Sequence, residues 1–106
     1  MEQPIFDNID YIFEKMLSAI RKNNLEKLEL LHDTYNLNEY LNLKTWWSNY
    51  TPLQFAISYE NLEVVNWFSR NCNLCSSVNI SDSLGRTPLH NAVIKNNLEM
   101  VKLLIL

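Results

Sequence analysis

Cys72 and Cys75 are the residues of this 106-residue chain whose type and spacing most suggest chemistry, because a Cys-x-x-Cys pair can ligate a soft metal or cycle between dithiol and disulfide. A tetrahedral zinc site needs four donors, so one such pair supplies half of it. The two histidines, His32 and His90, lie in other parts of the chain at positions that read as structural. The pair is therefore expected to be two reduced thiols in an intracellular protein, with no metal site. There is no Ser, His and acid constellation and no Gly-rich phosphate loop, so the expectation is no catalytic residue, no cofactor and no enzyme.

The elements that would have to position any site are announced by repetition. Thr51-Pro52-Leu53 returns as Thr87-Pro88-Leu89, 36 positions later, and the echo runs on through Ala56 and Ala92, Asn61-Leu62-Glu63 and Asn97-Leu98-Glu99, and Val65 and Val101. A worn third copy lies 37 positions upstream, in Ala19 and Asn24-Leu25-Glu26. Such a period is the mark of a solenoid whose units bury apolar surface only against their neighbours. Each unit reads as two short antiparallel helices. Pro52 and Pro88 suit the first helical turn, Thr51 and Thr87 the N-cap, and Gln54 completes a capping-box spacing. Leu53, Ala56 and Ile57 mark one first helix, and Leu62, Val65 and Phe68 its partner. Helices this short depend on stacking for stability.

The run from Asp82 through Gly85-Arg86-Thr87-Pro88-Leu89-His90 to Ala92 and Leu98-Glu99-Met100-Val101-Lys102-Leu103-Leu104 resembles an ankyrin repeat. The resemblance implies an all-α, ankyrin-repeat solenoid of antiparallel helix pairs joined by hairpin loops. It spans one domain, 1–106, with units at about 8–45, 46–81 and 82–106. The first unit, lacking the Thr-Pro start, reads as a degenerate cap. The middle unit has Trp46 where the family favours Asp, Asn49 for Gly and Gln54 for His. His90 matches the family's Thr-Pro-Leu-His, whose imidazole is taken to tie neighbouring loops together. Tetratricopeptide and pentatricopeptide units are of similar length but lack the Asp82 to His90 signature. The family's usual period is shorter, so extra residues are expected as solvated loop near Asp33 to Tyr40 and at Asn71 to Ser77.

What the resemblance implies about function is a non-catalytic module that binds a protein partner through hairpin tips and the concave first-helix face. Mapped onto this chain, those positions are Trp47, Ser48, Tyr50, Ser58 and Tyr59 in the middle unit, and Ser83, Leu84, Arg86, Ile94 and Lys95 in the last. Aromatic and Arg side chains are enriched at binding hot spots. For Trp46, space-filling and binding both stay open, and Trp67 reads as core. A second class of function also stays open: an assembly protein that self-associates through the apolar end Leu103-Leu104-Ile105-Leu106. On that feature the chain is expected to be either the N-terminal part of a longer repeat protein or a short chain covered by another.

Composition fits a small interaction domain. A net charge of −3 gives no basic stripe for nucleic acid, and no apolar stretch approaches a membrane span. Glu2, Asp7, Asp10 and Glu14 interrupt what a signal peptide would keep apolar. The expected location is cytoplasmic, or host-cell cytoplasm, the abundance of Asn hinting at a parasite, virus or intracellular bacterium.

Overall fold

The structure, a computed structural model, describes residues 5–45 and 49–105, with side chains from residue 9 onward. Among the described residues, six α-helices form three pairs: α1 (Ile5–Arg21) with α2 (Leu25–Tyr35), α3 (Pro52–Ser58) with α4 (Leu62–Asn71), and α5 (Pro88–Ile94) with α6 (Leu98–Leu104). The pairs stack in two layers, α1 on α3 on α5 and α2 on α4 on α6. No described helix is long and apolar enough to cross a membrane.

One backbone device turns each pair. Asn24, Asn61 and Asn97 donate their N–H to the carbonyls of Ala19, Ala56 and Ala92, while Asn23, Glu60 and Asn96 donate to Ile20, Ile57 and Val93. This is the paired-bond pattern that closes a helix on a left-handed residue, and Asn23, Glu60 and Asn96 all have φ near +55° to +58°. The alanines preceding the turns are buried, which lets the partner helix approach closely. Asn24 and Asn97 then cap α2 and α6 through their side chains. Asn61 instead spends its amide Nδ2 on the Ile20 carbonyl, joining the second pair to the first.

The core runs continuously through all three pairs. Met16 and Ile20 of α1, Leu28 of α2, Leu53 and Ile57 of α3, Val64 and Phe68 of α4, and Met100 of α6 are fully buried. Trp67 is core as the sequence suggests, and its ring meets that of His32 edge to face at 5.8 Å.

Of the extra residues of the long period, Asn71 to Ser76 stay largely at the surface, as expected of solvated loop, with Cys72 and Leu74 half-buried. The 3-10 turns at Leu37–Tyr40 and Ser77–Asn79 anchor the two extensions inward through buried Leu37 and Ser77, with Leu41 buried just after the first. The two extensions also bond to each other in register. Asn73 donates its N–H to Asn38 Oδ1 at 2.7 Å, Ser77 donates to Asn42 Oδ1 at 3.0 Å, and Lys44 Nζ donates to the Ser81 carbonyl at 2.8 Å. Asn38 and Asn42 thus serve as acceptors between the two extensions, which gives part of the abundant Asn a structural use.

Candidate functional site

The two hairpins between pairs are built alike. In the last one, Asp82 is the organiser: its Oδ1 accepts from the N–H groups of Leu84 and Arg86, and its own N–H donates to the Arg86 carbonyl. Gly85 turns the tip at φ +79°. In the middle hairpin Thr45 does this work, its Oγ1 accepting from the Tyr50 N–H at 3.2 Å and its N–H donating to the Tyr50 carbonyl at 2.8 Å. Asn49, at φ +59°, stands for Gly85. Sequence spacing aligns Trp46 with Asp82, but the hydrogen-bonding counterpart of Asp82 is Thr45. The reason is that Thr45 to Tyr50 is one residue longer than Asp82 to Arg86, and the 36-residue register becomes 37 there.

Asp82 is almost wholly buried. Burial opposes its ionisation, but the two backbone bonds, the Asn91 amide and the Arg86 charge outweigh that and hold the carboxyl below its ordinary range. Arg86 Nε lies 3.4 Å from Asp82 Oδ2, so part of its hydrogen-bonding capacity is used within the hairpin.

The first helices of the second and third pairs, α3 and α5, each begin with a capping box. Thr51 Oγ1 accepts from Gln54 N–H while Gln54 Oε1 accepts from Thr51 N–H, and Thr87 and His90 repeat the exchange through His90 Nδ1. Gln54 has a second hand. Its Nε2 donates to the carbonyls of Arg86 at 3.0 Å and Ile80 at 3.2 Å, linking the second pair to the following hairpin. This is the tie expected of the family's His, made here by an amide that carries one acceptor and one donor at matching positions. His90 itself is exposed and caps its own helix.

The candidate binding residues divide on this geometry. Leu84 and Ile94 are open to solvent at 72% and 59%, Tyr59 at 46%, and Ser83 and Lys95 are also exposed. Tyr59 caps the end of α3 and leans edge to face on Phe55, ring centres 4.9 Å apart. Because α3 packs on α5, Tyr59 and Ser58 at the end of one helix have Lys95 and Ile94 as register counterparts at the end of the other. Ser58 is half-buried and its hydroxyl donates to the Phe55 carbonyl, and Tyr50 is half-buried against the core. Trp47 and Ser48, with Trp46, lie outside the described residues.

The thiols are unpaired. Burial pushes Cys72 up to about 11, so at neutral pH it carries little of the reactive thiolate, while Cys75 is exposed. Among the described residues no group of three or more His, Cys, Asp or Glu is placed to hold a metal ion.

A family model for ankyrin repeats, three copies, matches residues 16–106. No curated protein matches the chain.

Proposed function

Because this chain belongs to the ankyrin-repeat family, we propose that it is a non-catalytic module that binds a protein partner through its hairpin tips and the exposed side of its first helices. The observation that carries this reading is the uncovered apolar and aromatic surface of Leu84, Ile94 and Tyr59, with Ser83 and Lys95 beside them as a polar margin. Apolar surface rimmed by polar groups is typical of a protein contact site, and an aromatic anchor contributes large area at low entropic cost. The supporting helices are fixed by capping boxes and a continuous core, so docking is read as rigid-body. The reading extends to a cytoplasmic setting, its own or a host cell's, where thiols stay reduced. Leu84→Ser and Ile94→Ser, both at well-exposed positions, should weaken the partner while leaving thermal unfolding unchanged. Unchanged affinity in that double variant removes the assignment of this face.

A second reading has its own observation. Leu53 and Ile57 are fully buried under the third pair, whereas their register counterparts Leu89 and Val93 are 39% and 59% exposed. That apolar surface supports stacking of a further unit over α5 and α6, be it a further repeat of the same chain or a second copy. Sedimentation of the protein beside Val93→Asp separates the readings: association abolished by the substitution favours the end face, and a monomer at all concentrations removes it.

A further inference from the structure

The outer side of the first helix pair differs in kind from the same side of the other two. Pro88, Asn91 and Met100 of the third pair are buried, Asn91 Oδ1 meeting the Gln54 amide across the boundary with the second. Pro52, Phe55 and Val64 are their counterparts in the second pair and are buried as well. In the first pair, a further 37 positions back, the counterparts are Lys15, Ser18 and Lys27. With Ala19, Lys22 and Asn24 they wall a cavity of about 170 Å3 where α1 turns into α2. No carboxylate lines it, although the chain as a whole is acidic at −3. Among the described residues the ion pairs are Arg86 with Asp82 and Lys102 with Glu99, so Lys15, Lys22 and Lys27 have none. Lys15 Nζ rests 5.2 Å from the Tyr11 ring centre. Two acids lie near. Glu26 lines a neighbouring hollow beside Lys27, and Glu63 of the second pair accepts from the Asn23 amide at 2.7 Å. Another helix pair stacked on this side would bury three ammonium groups without partners, which desolvation opposes.

We propose that this cationic hollow receives the carboxylates of an acidic segment of a protein partner. The proposal rests on the reading of the first-helix face as the partner-binding surface, and it gives that partner its charge. Lys22 is the link between the two. The turn bonds from Asn24, Asn61 and Asn97 to Ala19, Ala56 and Ala92 fix one register for the three pairs, and three residues beyond those alanines stand Lys22, Tyr59 and Lys95. The Asn61 amide on the Ile20 carbonyl brings the end of α1 beside the second turn. Lys22, Tyr59 and Lys95, all exposed, therefore follow one another along the proposed face, with the hollow at its first end. Lysines are point charges on separate flexible stems, so the match is several carboxylates on a chain rather than one oriented group. Packed helices lie about 8–10 Å apart, which an extended chain spans in about three residues. The segment that fits thus carries its acids about three positions from an apolar residue over Tyr59.

The test is an amide-NMR titration of the whole chain with hexaglutamate, beside hexaglutamine and inorganic phosphate. Saturable shifts are expected at Ser18, Lys22, Asn24 and Lys27, with hexaglutamine at least about tenfold weaker and the hexaglutamate affinity falling as salt is raised. Lys22→Gln/Lys27→Gln should abolish those shifts with the thermal midpoint unchanged. Lys22→Gln alone, at an exposed position, serves the same purpose with a partial loss if the double variant does not fold. Leu84→Ser/Ile94→Ser lies elsewhere and should leave hexaglutamate binding intact, so failure of the hairpin face and failure of this site read out separately. Absence of saturable shifts, equal binding of hexaglutamine, shifts spread evenly over Lys44, Lys95 and Lys102, or full binding by a folded Lys22→Gln/Lys27→Gln overturns the proposal. So does inorganic phosphate binding as tightly as hexaglutamate, which would make the hollow a site for a small anion.

Discussion

Gln54 and Arg86 meet across the boundary between two helix pairs, the amide Nε2 of Gln54 donating to the Arg86 carbonyl at 3.0 Å. The same side chain accepts from Thr51 N–H through Oε1, so one buried residue caps its own helix and ties it to the next hairpin. Gln54→Leu keeps the volume but removes both functions and leaves the Arg86 and Ile80 carbonyls without this donor. The expected loss is about 1–3 kcal/mol of unfolding free energy by urea titration. Gln54→His, with an acceptor and a donor on one ring, should recover most of it. Equal losses in the two variants would show that volume, not the two-handed bonding, is what matters there.

Asp82 makes stability fall in acid. Its carboxyl is held below the ordinary range in the folded protein, so the unfolded chain binds that proton more readily. The stabilisation is therefore complete above an unfolded value of about 4 and is lost as pH falls through the lower folded value. Asp82→Asn should cost about 1–3 kcal/mol at neutral pH, since a buried charge-assisted bonding set is weakened. The gap between the two proteins should narrow on going from about pH 6 to about pH 3. A gap independent of pH would show that the carboxylate charge plays no part.

Glu60 occupies a left-handed position, φ +55°, where the equivalent turns use Asn23 and Asn96. A side chain without local hydrogen-bonding capacity is strained there, and Asn or Gly is not. Glu60→Asn and Glu60→Gly should each stabilise the fold by about 0.5–1 kcal/mol, seen as a higher urea midpoint with unchanged slope. A lower midpoint in both would mean that Glu60 makes a compensating interaction.

The two thiols should react unequally. Cys72, half-buried and pushed up to about 11, should resist iodoacetamide at neutral pH, while exposed Cys75 is modified at least about tenfold faster, as mass spectrometry of timed samples can measure. Similar rates would mean that the loop opens enough to bare Cys72.

The repeat was legible because its markers are residues with fixed backbone demands: Pro at a helix start, Thr at a cap, Ala where helices touch, Asn at the turn. Three features were not. The hairpin slip from Trp46 to Thr45 was hidden because a Thr hydroxyl can replace an Asp carboxylate as the turn's acceptor, and no alignment of residue types reveals that. The inward anchoring of the two extensions was not legible because polar residues predominate in both, Asn, Cys and Ser making up all but Leu74 of Asn71 to Ser77. Their packing depends on Leu37 and Leu41 and on bonds between segments some 35 residues apart. Of the candidate binding residues, exposure separates Leu84, Ile94 and Tyr59 from Tyr50 and Ser58, and exposure is a property of neighbours that spacing within one helix does not contain.

The partner-binding proposal is tested most directly by quantitative affinity capture with three immobilised forms of the chain: unaltered, Leu84→Ser/Ile94→Ser on the hairpin and helix face, and Val93→Asp on the end face. All three must first be matched for thermal unfolding. The expected result is a discrete set of proteins retained by the unaltered and end-face forms and lost from the Leu84→Ser/Ile94→Ser form. Retention of the same set by Leu84→Ser/Ile94→Ser, with loss from Val93→Asp, would contradict it and move the functional surface to the end of the stack.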